Sequence, residues 1–442
     1  MALATSHCWS LHRHLFWLWR SRPRLSPGKF RNNLCCRETV MRWCASSATM
    51  AKRGDSETSI AVAKGLSNIF QEKTLQSSVR TSHGAERETF QHMPVDSPVT
   101  RENDAQSNAL EGRVMLVDGT SIMYRSYYKL LAKLHHGMLE HADGNGDWVL
   151  TIFTALSILI DVLEFIPSHV AVVFDHDGIP FGHTTYMPSK ENHMAKGSTF
   201  RHMLYPSYKS NRIPTPDTVV QGLQFLKASI KAMSIKVIEV PGVEADDVIG
   251  TLAVNSIASG FKVRIVSPDK DFFQILSPSL RLLRVASRGP GMVSFGLEDF
   301  AERYGTLKPS QFVDVVALAG DQSDNIPGVE GIGNVNAVKL ITRFGTLENL
   351  LQSVDQVEEE RIKKALESNA DQARLCKNLA TLRCDLPPYM VPFRTADLVF
   401  QKPEDNGEKF ISLLRAMGAY AEGFSADPVI RRALYLWKRL QV

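Results

Sequence analysis

From residue 113 onward, short unbroken apolar runs alternate with longer stretches in which apolar residues recur every three or four positions. The runs VMLVD (114–118), VAVVFD (170–175), IKVIEV (235–240) and the stretch 261–267 predict strands. Unbroken β-branched runs of this length mark strands covered on both faces. Between them lie a polar–aromatic helix through Tyr124 and Tyr128, an apolar helix near 148–165, a helix beginning after Pro216 and another over 244–258. Such alternation predicts a parallel sheet with helices on both sides. After Gly305 the strand pattern stops. Helical periodicity then fills 309–319, 335–344, 346–353 and 357–380, punctuated by glycines and Pro327, so a second, all-helical unit is expected. The tail from Leu386 opens with Pro387-Pro388 and ends in the amphipathic stretch VIRRALYLWKRL at 429–440. Residues 51–110 are rich in Ser, Thr, Glu and Gln and lack a period, which reads as a linker.

Composition sharpens this picture at the start of the chain. The 442 residues, 44% of them hydrophobic, allow two or three compact units. The net charge of +4 is uneven: residues 1–50 hold eight Lys/Arg against Glu38 alone, while the other 43 Lys/Arg face 46 Asp/Glu. Arg13, Arg20, Arg22, Arg24, Arg31 and Arg37 precede the first acid. An acid-free, Arg-rich start is the pattern of an organelle transit peptide, with a disordered basic tail as the plainer alternative. Four of the six cysteines (Cys8, Cys35, Cys36, Cys44) lie in that segment, leaving Cys376 and Cys384. No disulfide framework is expected. No apolar run reaches the length of an ordinary membrane-spanning helix.

Acids gather where strands should end. Asp118, Asp175 and Asp269 close or follow apolar runs. In an open parallel sheet, ligands bind outside the carboxyl ends of the strands. GVEADDVIG (242–250) adds Glu244, Asp246 and Asp247; SPDKDFFQIL (267–276) adds Asp271 beside Lys270; GDQSDNIPG (320–328) adds Asp321 and Asp324. One acid in a first helical turn merely complements the helix dipole. Three within four residues repel one another, and cations are the natural remedy. Carboxylate oxygens suit hard Mg²⁺ or Mn²⁺. The 267–276 and 320–328 segments could each be plain turns on their own.

Cations and glycines add a second theme. In GVEGIGNVNAVKLITRFG (328–345), Gly331 and Gly333 would let backbone amides and a helix N-terminus approach a phosphate, with Lys339 and Arg343 one turn apart. An ordinary helix corner is the alternative. YPSYKSNRIPTP (205–216) interleaves Tyr205 and Tyr208 with Lys209 and Arg212, a mixture suited to single-stranded nucleic acid or to an exposed basic loop. Tyr124 and Arg125 follow the first carboxylate and should line the same cleft. His169, His176, His183, His193 and His202 match no zinc spacing.

The order LVDGTSIMYR, VVFD, TFRHMLYPSYKSNR, PGVEADDVIG, SPDKDFFQIL, GDQSDNIPGVEGIG over 113–390 resembles the 5′-nuclease domain of bacterial DNA polymerase I. More broadly it resembles the 5′–3′ exonuclease and flap endonuclease superfamily, and it is similar to plant organellar 5′–3′ exonuclease family proteins. The resemblance implies an α/β, PIN-like parallel-sheet nuclease domain at 111–305 and a helix–three-turn–helix (SAM-fold-like) domain at 306–390 that grips duplex DNA. A transit peptide (1–50), a linker (51–110) and a C-terminal extension (391–442) would complete the chain. It carries Asp118, Asp175, Glu244, Asp246, Asp247, Asp269, Asp271, Asp321 and Asp324 over as ligands of two Mg²⁺ (or Mn²⁺). Lys209 and Arg212 become arch cations acting on the scissile phosphate, and Tyr124 and Arg125 flank the cleaved nucleotide. Lys270, Gly331, Gly333, Lys339 and Arg343 would contact DNA, with K⁺ held by carbonyls around Val329, Ile332 and Gly333. The segment near 176–199 is longer than in bacterial relatives, and the chain ends where a polymerase would continue, so a stand-alone monomeric nuclease is expected. Its substrates would be 5′ flaps, nicks and RNA primers, with organellar replication or repair proteins as partners and no membrane, in mitochondria or alternatively chloroplasts. A ribonuclease using the same site and a catalytically dead DNA-binding protein are the competing readings; the full carboxylate set speaks against the second.

Overall fold

Alternate residues along the first strand enter two different cores. In β1 (Arg113–Asp118), Val114 and Leu116 join one apolar cluster, Met115 and Val117 the other. Successive side chains of a strand point to opposite faces, so this sheet is sandwiched. The computed structural model describes residues 112–139, 146–176, 199–286, 291–421 and 423–440. The expected transit peptide and linker, and most of the insertion near 176–199, lie outside these.

Helices α1 (Gly119–His135) and α2 (Asp147–Leu163) lead to β2 (His169–Phe174). The short α3 (Phe200–Leu204) and then α4 (Asp217–Ala232) lead to β3 (Lys236–Glu239). Next come α5 (Ala245–Ala258), β4 (Lys262–Val266), a 3₁₀ turn at Asp271–Ile275, β5 (Leu280–Val285) and β6 (Met292–Phe295). The six strands lie in the order β3-β2-β1-β4-β5-β6. All neighbouring pairs are parallel except β5–β6, which is antiparallel. The expected parallel sheet is therefore mostly parallel with one reversed edge. Because β1 pairs with β2 on one side and β4 on the other, the chain order switches at the carboxyl end of β1, and Asp118 stands there.

Helices follow: α6 (Leu297–Tyr304), α7 (Phe312–Ala319), α8 (Asn334–Phe344), α9 (Leu347–Gln352), α10 (Glu360–Ser368) and α11 (Ala370–Ala380). The stretch expected as one helix over 357–380 is two, broken at Asn369, whose φ of −123° is not helical. An aromatic knot joins this module to the sheet: Phe273 stacks on Phe295 at 4.6 Å and meets Phe312 edge-on at 5.2 Å.

The chain then returns to the sheet. Phe400 donates its amide to the Ser168 carbonyl at 2.9 Å, beside an antiparallel bridge from Val399 to His169. Helices α12 (Glu408–Gly418) and α13 (Asp427–Arg439) follow. Their buried Phe410, Leu414, Ile430, Leu436 and Trp437 complete the cluster that also holds α1, α2 and α4. Burying a side chain of this size contributes about 1.5–3 kcal/mol each, so the extension belongs to the core. Among the described residues no helix is long and apolar enough to cross a membrane.

Candidate active site

The carboxyl edge of the sheet collects acids because each is fixed by the loop or helix start that follows its strand. Asp118 accepts the Ser121 amide at 2.9 Å, capping α1, and also meets the Ser121 hydroxyl and that of Ser267. Asp175, just past β2, accepts the Ala245 amide at 2.9 Å and so caps α5. Asp269 follows β4; its amide donates to Ser267 Oγ and its carboxylate accepts the Asp271 amide at 2.9 Å. Asp321 and Asp324 sit in a loop that closes on itself through the Asp321–Ile326 bridge. Closure needs Gly320 and Gly328, both at positive φ: a Cβ on either would come within 2.6 Å of backbone atoms across the loop.

Electrostatics sorts these acids. Burial pushes the Asp118 carboxyl up to about 6, with Asp175 adding to the rise. Burial also raises Asp246 well above the ordinary range, helped by Asp269, Asp118 and Asp175. Asp271 is raised by burial and by Asp269, Asp324 and Asp321. Asp269 is raised too, chiefly by burial, with Asp324 and Asp321 contributing. Two overlapping groups emerge: Asp118, Asp175, Asp246 and Asp269, and then Asp269, Asp271, Asp321 and Asp324. Asp118, Asp246 and Asp269 in the first group, and Asp269 and Asp271 in the second, are raised by burial and by the carboxylates around them.

These donors fit divalent cations. All are hard oxygens, and their mutual repulsion is what an ion would relieve. Among the described residues no three His, Cys, Asp or Glu side chains converge on one point.

Two of the nine expected ligands are placed differently. Asp247 is 1% exposed, and its oxygens accept Arg201 Nη1 at 2.7 Å, Arg201 Nη2 at 2.9 Å and the Arg383 amide at 3.0 Å. Its carboxylate is taken up internally by these three donors. Glu244 faces cations: Lys209 at 2.9 Å and Arg201 at 3.3 Å, with Tyr208 Oη at 3.2 Å. Burial works to raise its carboxyl, but Lys209 and Arg201 outweigh burial and hold it down at about 2.

The arch segment folds onto the acids. Lys209 Nζ lies 3.6 Å from Asp324, and Arg212 Nη2 lies 2.6 Å from it. Lys209 adopts φ +55°, a conformation held by its amide bond to the Asp324 carbonyl at 2.9 Å. Tyr208, in a stretch that could have been an exposed basic loop, is 2% exposed and donates to Asp324 at 2.9 Å. Its neighbour Tyr205 packs partly buried against the core. The Tyr208 ring is thus enclosed, while Tyr205 keeps part of its surface exposed.

The remaining candidates are spread more widely. Tyr124 Oη bonds Thr215 Oγ1 at 2.9 Å, tying α1 to the arch, and Arg125 donates to the Ala286 carbonyl at 2.6 Å beyond β5. Lys270 is exposed beside Asp269. On the helical module, Gly331 turns at φ +84° and Gly333 caps α8. Lys339 and Arg343 are exposed on α8, Arg343 pairing with Glu358 at 2.7 Å. Val329 and Ile332 are buried. Of the histidines, His183 and His193 lie outside the described residues, while His169 packs its ring on Phe261 away from the acids. Sequence reasoning missed Arg201, a lone cation in FRHML whose partners are 43 or more positions away.

A sheet that gathers carboxylates at its switch point, roofed by lysine and arginine and backed by a helical module, defines a phosphodiester-cutting nuclease. A model of the 5′-3′ exonuclease N-terminal resolvase-like domain matches residues 113–305, and one of the 5′-3′ exonuclease C-terminal SAM fold matches 307–406. The chain belongs to the 5′-3′ exonuclease family, whose members are hydrolytic nucleases. It is 33% identical over 309 residues to DNA polymerase I of Bacillus caldotenax, covering 70% of this chain and 32% of that one. It is 37% identical over 278 residues to thermostable DNA polymerase I of Thermus caldophilus, covering 63% and 29%. The chain thus spans about a third of the length of these relatives. The catalytic core of Rad2 in complex with DNA substrate shows a looser likeness, with a TM-score of 0.47 and 16% identity over 77% of this chain and 95% of that one.

Proposed function

We propose that this chain is a divalent-metal-dependent 5′–3′ exonuclease and flap endonuclease that hydrolyses phosphodiesters of DNA in an organelle, removing flaps and primers. The observation that carries the reading is a set of neighbouring carboxylates, Asp246 and Asp271 among them with raised proton affinity, beside an Asp324 that Lys209 and Arg212 reach. Asp118, Asp175, Asp246, Asp269, Asp271, Asp321 and Asp324 would hold two Mg²⁺ or Mn²⁺. Bound there, such ions supply an activated water and neutralise charge at the leaving oxygen. Lys209 and Arg212 would exchange their carboxylate partners for the scissile phosphate and draw the 5′ end in. Tyr124 and Arg125 would border the cleaved nucleotide, and Lys270 would add charge at the rim. Gly331, Gly333, Lys339 and Arg343 would hold the duplex, with K⁺ bound at 329–333; exchanging K⁺ for Na⁺ should then weaken duplex affinity.

The test is digestion by the full chain of 5′-labelled flap DNA, nicked duplex, RNA–DNA hybrid and single-stranded RNA, with Mg²⁺ or with chelator. Short 5′-phosphorylated products from flap and nicked DNA, abolished by chelator, are expected. Cleavage of RNA alone would transfer the reading to a ribonuclease, and cleavage in chelator would overturn it. The acid-free start supports import into mitochondria, or chloroplasts in the alternative. A fluorescent fusion of residues 1–60 that stayed in the cytosol would refute both.

A further inference from the structure

Asp247 leaves the same helical turn as Asp246 yet serves a different structure. Arg201 meets it with both ends of the guanidinium, and their side chains are 5% and 1% exposed. Beside Asp247, Arg201 also donates from Nη1 to Glu244 at 3.3 Å, from Nε to the Leu379 carbonyl and from Nη2 to that of Thr381, the last two at 2.9 Å. These carbonyls end α11, where the last turn of a helix has no partners of its own and carries partial negative charge. Gln274 takes the next groups, donating to the Ala380 carbonyl at 2.8 Å and accepting the Leu382 amide at 3.1 Å. The Arg383 amide donates to Asp247 at 3.0 Å and the Leu386 amide to Thr251 Oγ1 at 3.3 Å. Residues 379–386 therefore run as a strap along α5, tied to it and to α3. At Gly250 the strap comes so close that a Cβ would lie 2.9 Å from Cys384 Sγ and 3.2 Å from the Arg383 carbonyl.

We propose that Arg201 and Asp247 act as one positioning unit that locks α5, and with it Glu244 and Asp246, to the end of the helical module, and that Asp247 is not a metal ligand. A bidentate guanidinium–carboxylate pair fixes direction as well as distance. The three donors on Asp247 come from Arg201 and the strap, and they take up most of its acceptor capacity. A duplex held by the helical module would thereby be held in register with the carboxylates of α5. The inference rests on the metal-dependent reading above.

The test uses the full chain with Mn²⁺ binding followed by electron paramagnetic resonance, and single-turnover cleavage of a flap duplex at saturating Mg²⁺. Asp247→Asn should bind as many Mn²⁺ as the parent, while its cleavage rate falls about 10–100-fold, the range for groups that orient ligands. Arg201→Lys should behave alike, and the double variant should be no slower than the slower single, because coupled residues are not additive. Asp269→Asn, the comparator, should lose bound Mn²⁺. Loss of Mn²⁺ in Asp247→Asn with Arg201→Lys unaffected would make Asp247 a ligand and overturn the proposal, as would rate losses that multiply. If Asp247→Asn melts at the assay temperature, Arg201→Lys decides: a parental rate overturns the proposal. A parent that neither binds Mn²⁺ nor cleaves sinks the metal-dependent reading instead.

Discussion

Asp246 and Asp247 are consecutive, share one helical turn, and occupy opposite electrical worlds. Asp246 faces Asp269, Asp118 and Asp175 and is driven toward its protonated form. Asp247 faces a guanidinium and an amide that satisfy it within the protein. Both are acids at the positive end of a helix, so neither residue type nor dipole separates them. What separates them is whether the fold supplies a counter-charge. Asp246 is left facing other acids, while Asp247 is already paired within the fold.

The comparison breaks most sharply at the acid shared by both groups. Asp269→Asn should lower single-turnover cleavage by about a thousandfold or more, as expected when metal-borne charge stabilisation is lost. Duplex affinity in Ca²⁺ should hold or tighten, since one phosphate-repelling charge is gone. Equal loss of both would dissolve the distinction. Next in size, Lys209→Ala removes the cation that bridges Glu244 and Asp324. It should cost about 2–4 kcal/mol in the cleavage barrier, with duplex affinity little changed, read by single-turnover kinetics against filter binding.

On the paired side, Gly250→Ala should add about 1 kcal/mol of helix propensity yet lose more by driving a methyl into Cys384 and the strap. A net destabilisation of about 1–2 kcal/mol is expected from overpacking, measured by urea denaturation; a stabilised variant would show that the strap is slack. The smallest effect should be in pH. The Asp118 carboxyl, at about 6 in the folded chain against 3.8 ordinarily, binds its proton more tightly when folded. Its contribution is complete below about pH 4 and lost as pH rises through about 6. Chelator-treated protein should therefore melt at a lower temperature at pH 7 than at pH 5, and Mg²⁺ should raise the pH 7 value and narrow that difference. Glu244, held at about 2, acts oppositely and only in stronger acid.

The strand pattern was legible where local signals are strong. Unbroken runs placed β1, β2 and β4 within a residue or two of Arg113–Asp118, His169–Phe174 and Lys262–Val266. β5 and β6 escaped notice because Arg281 and Arg284 interrupt the apolar run, and their pairing with each other settles a conformation their residues leave ambiguous. The acids themselves could be read from spacing, since each ends a strand or opens a turn. The division among them could not. Arg201 reaches Asp247 across 46 positions and Leu379 across 178, and periodicity carries no information over such separations. Tyr208 shows the same limit: its surroundings in sequence are basic and prolyl, but a contact 116 positions away, with Asp324, buries it.

The return of the chain to the far side of the sheet has a consequence for synthesis. Helices α2 and α4 present apolar faces whose partners, Phe410, Leu414, Ile430 and Trp437, are translated roughly two hundred residues or more later. Gly407, at φ +86°, lies so close to Trp437 that a Cβ there would sit 2.2 Å from the indole. While the ribosome is still reading the helical module, the nascent sheet therefore stands with one apolar flank uncovered. The sheet's second flank closes only after α12 and α13 have been made.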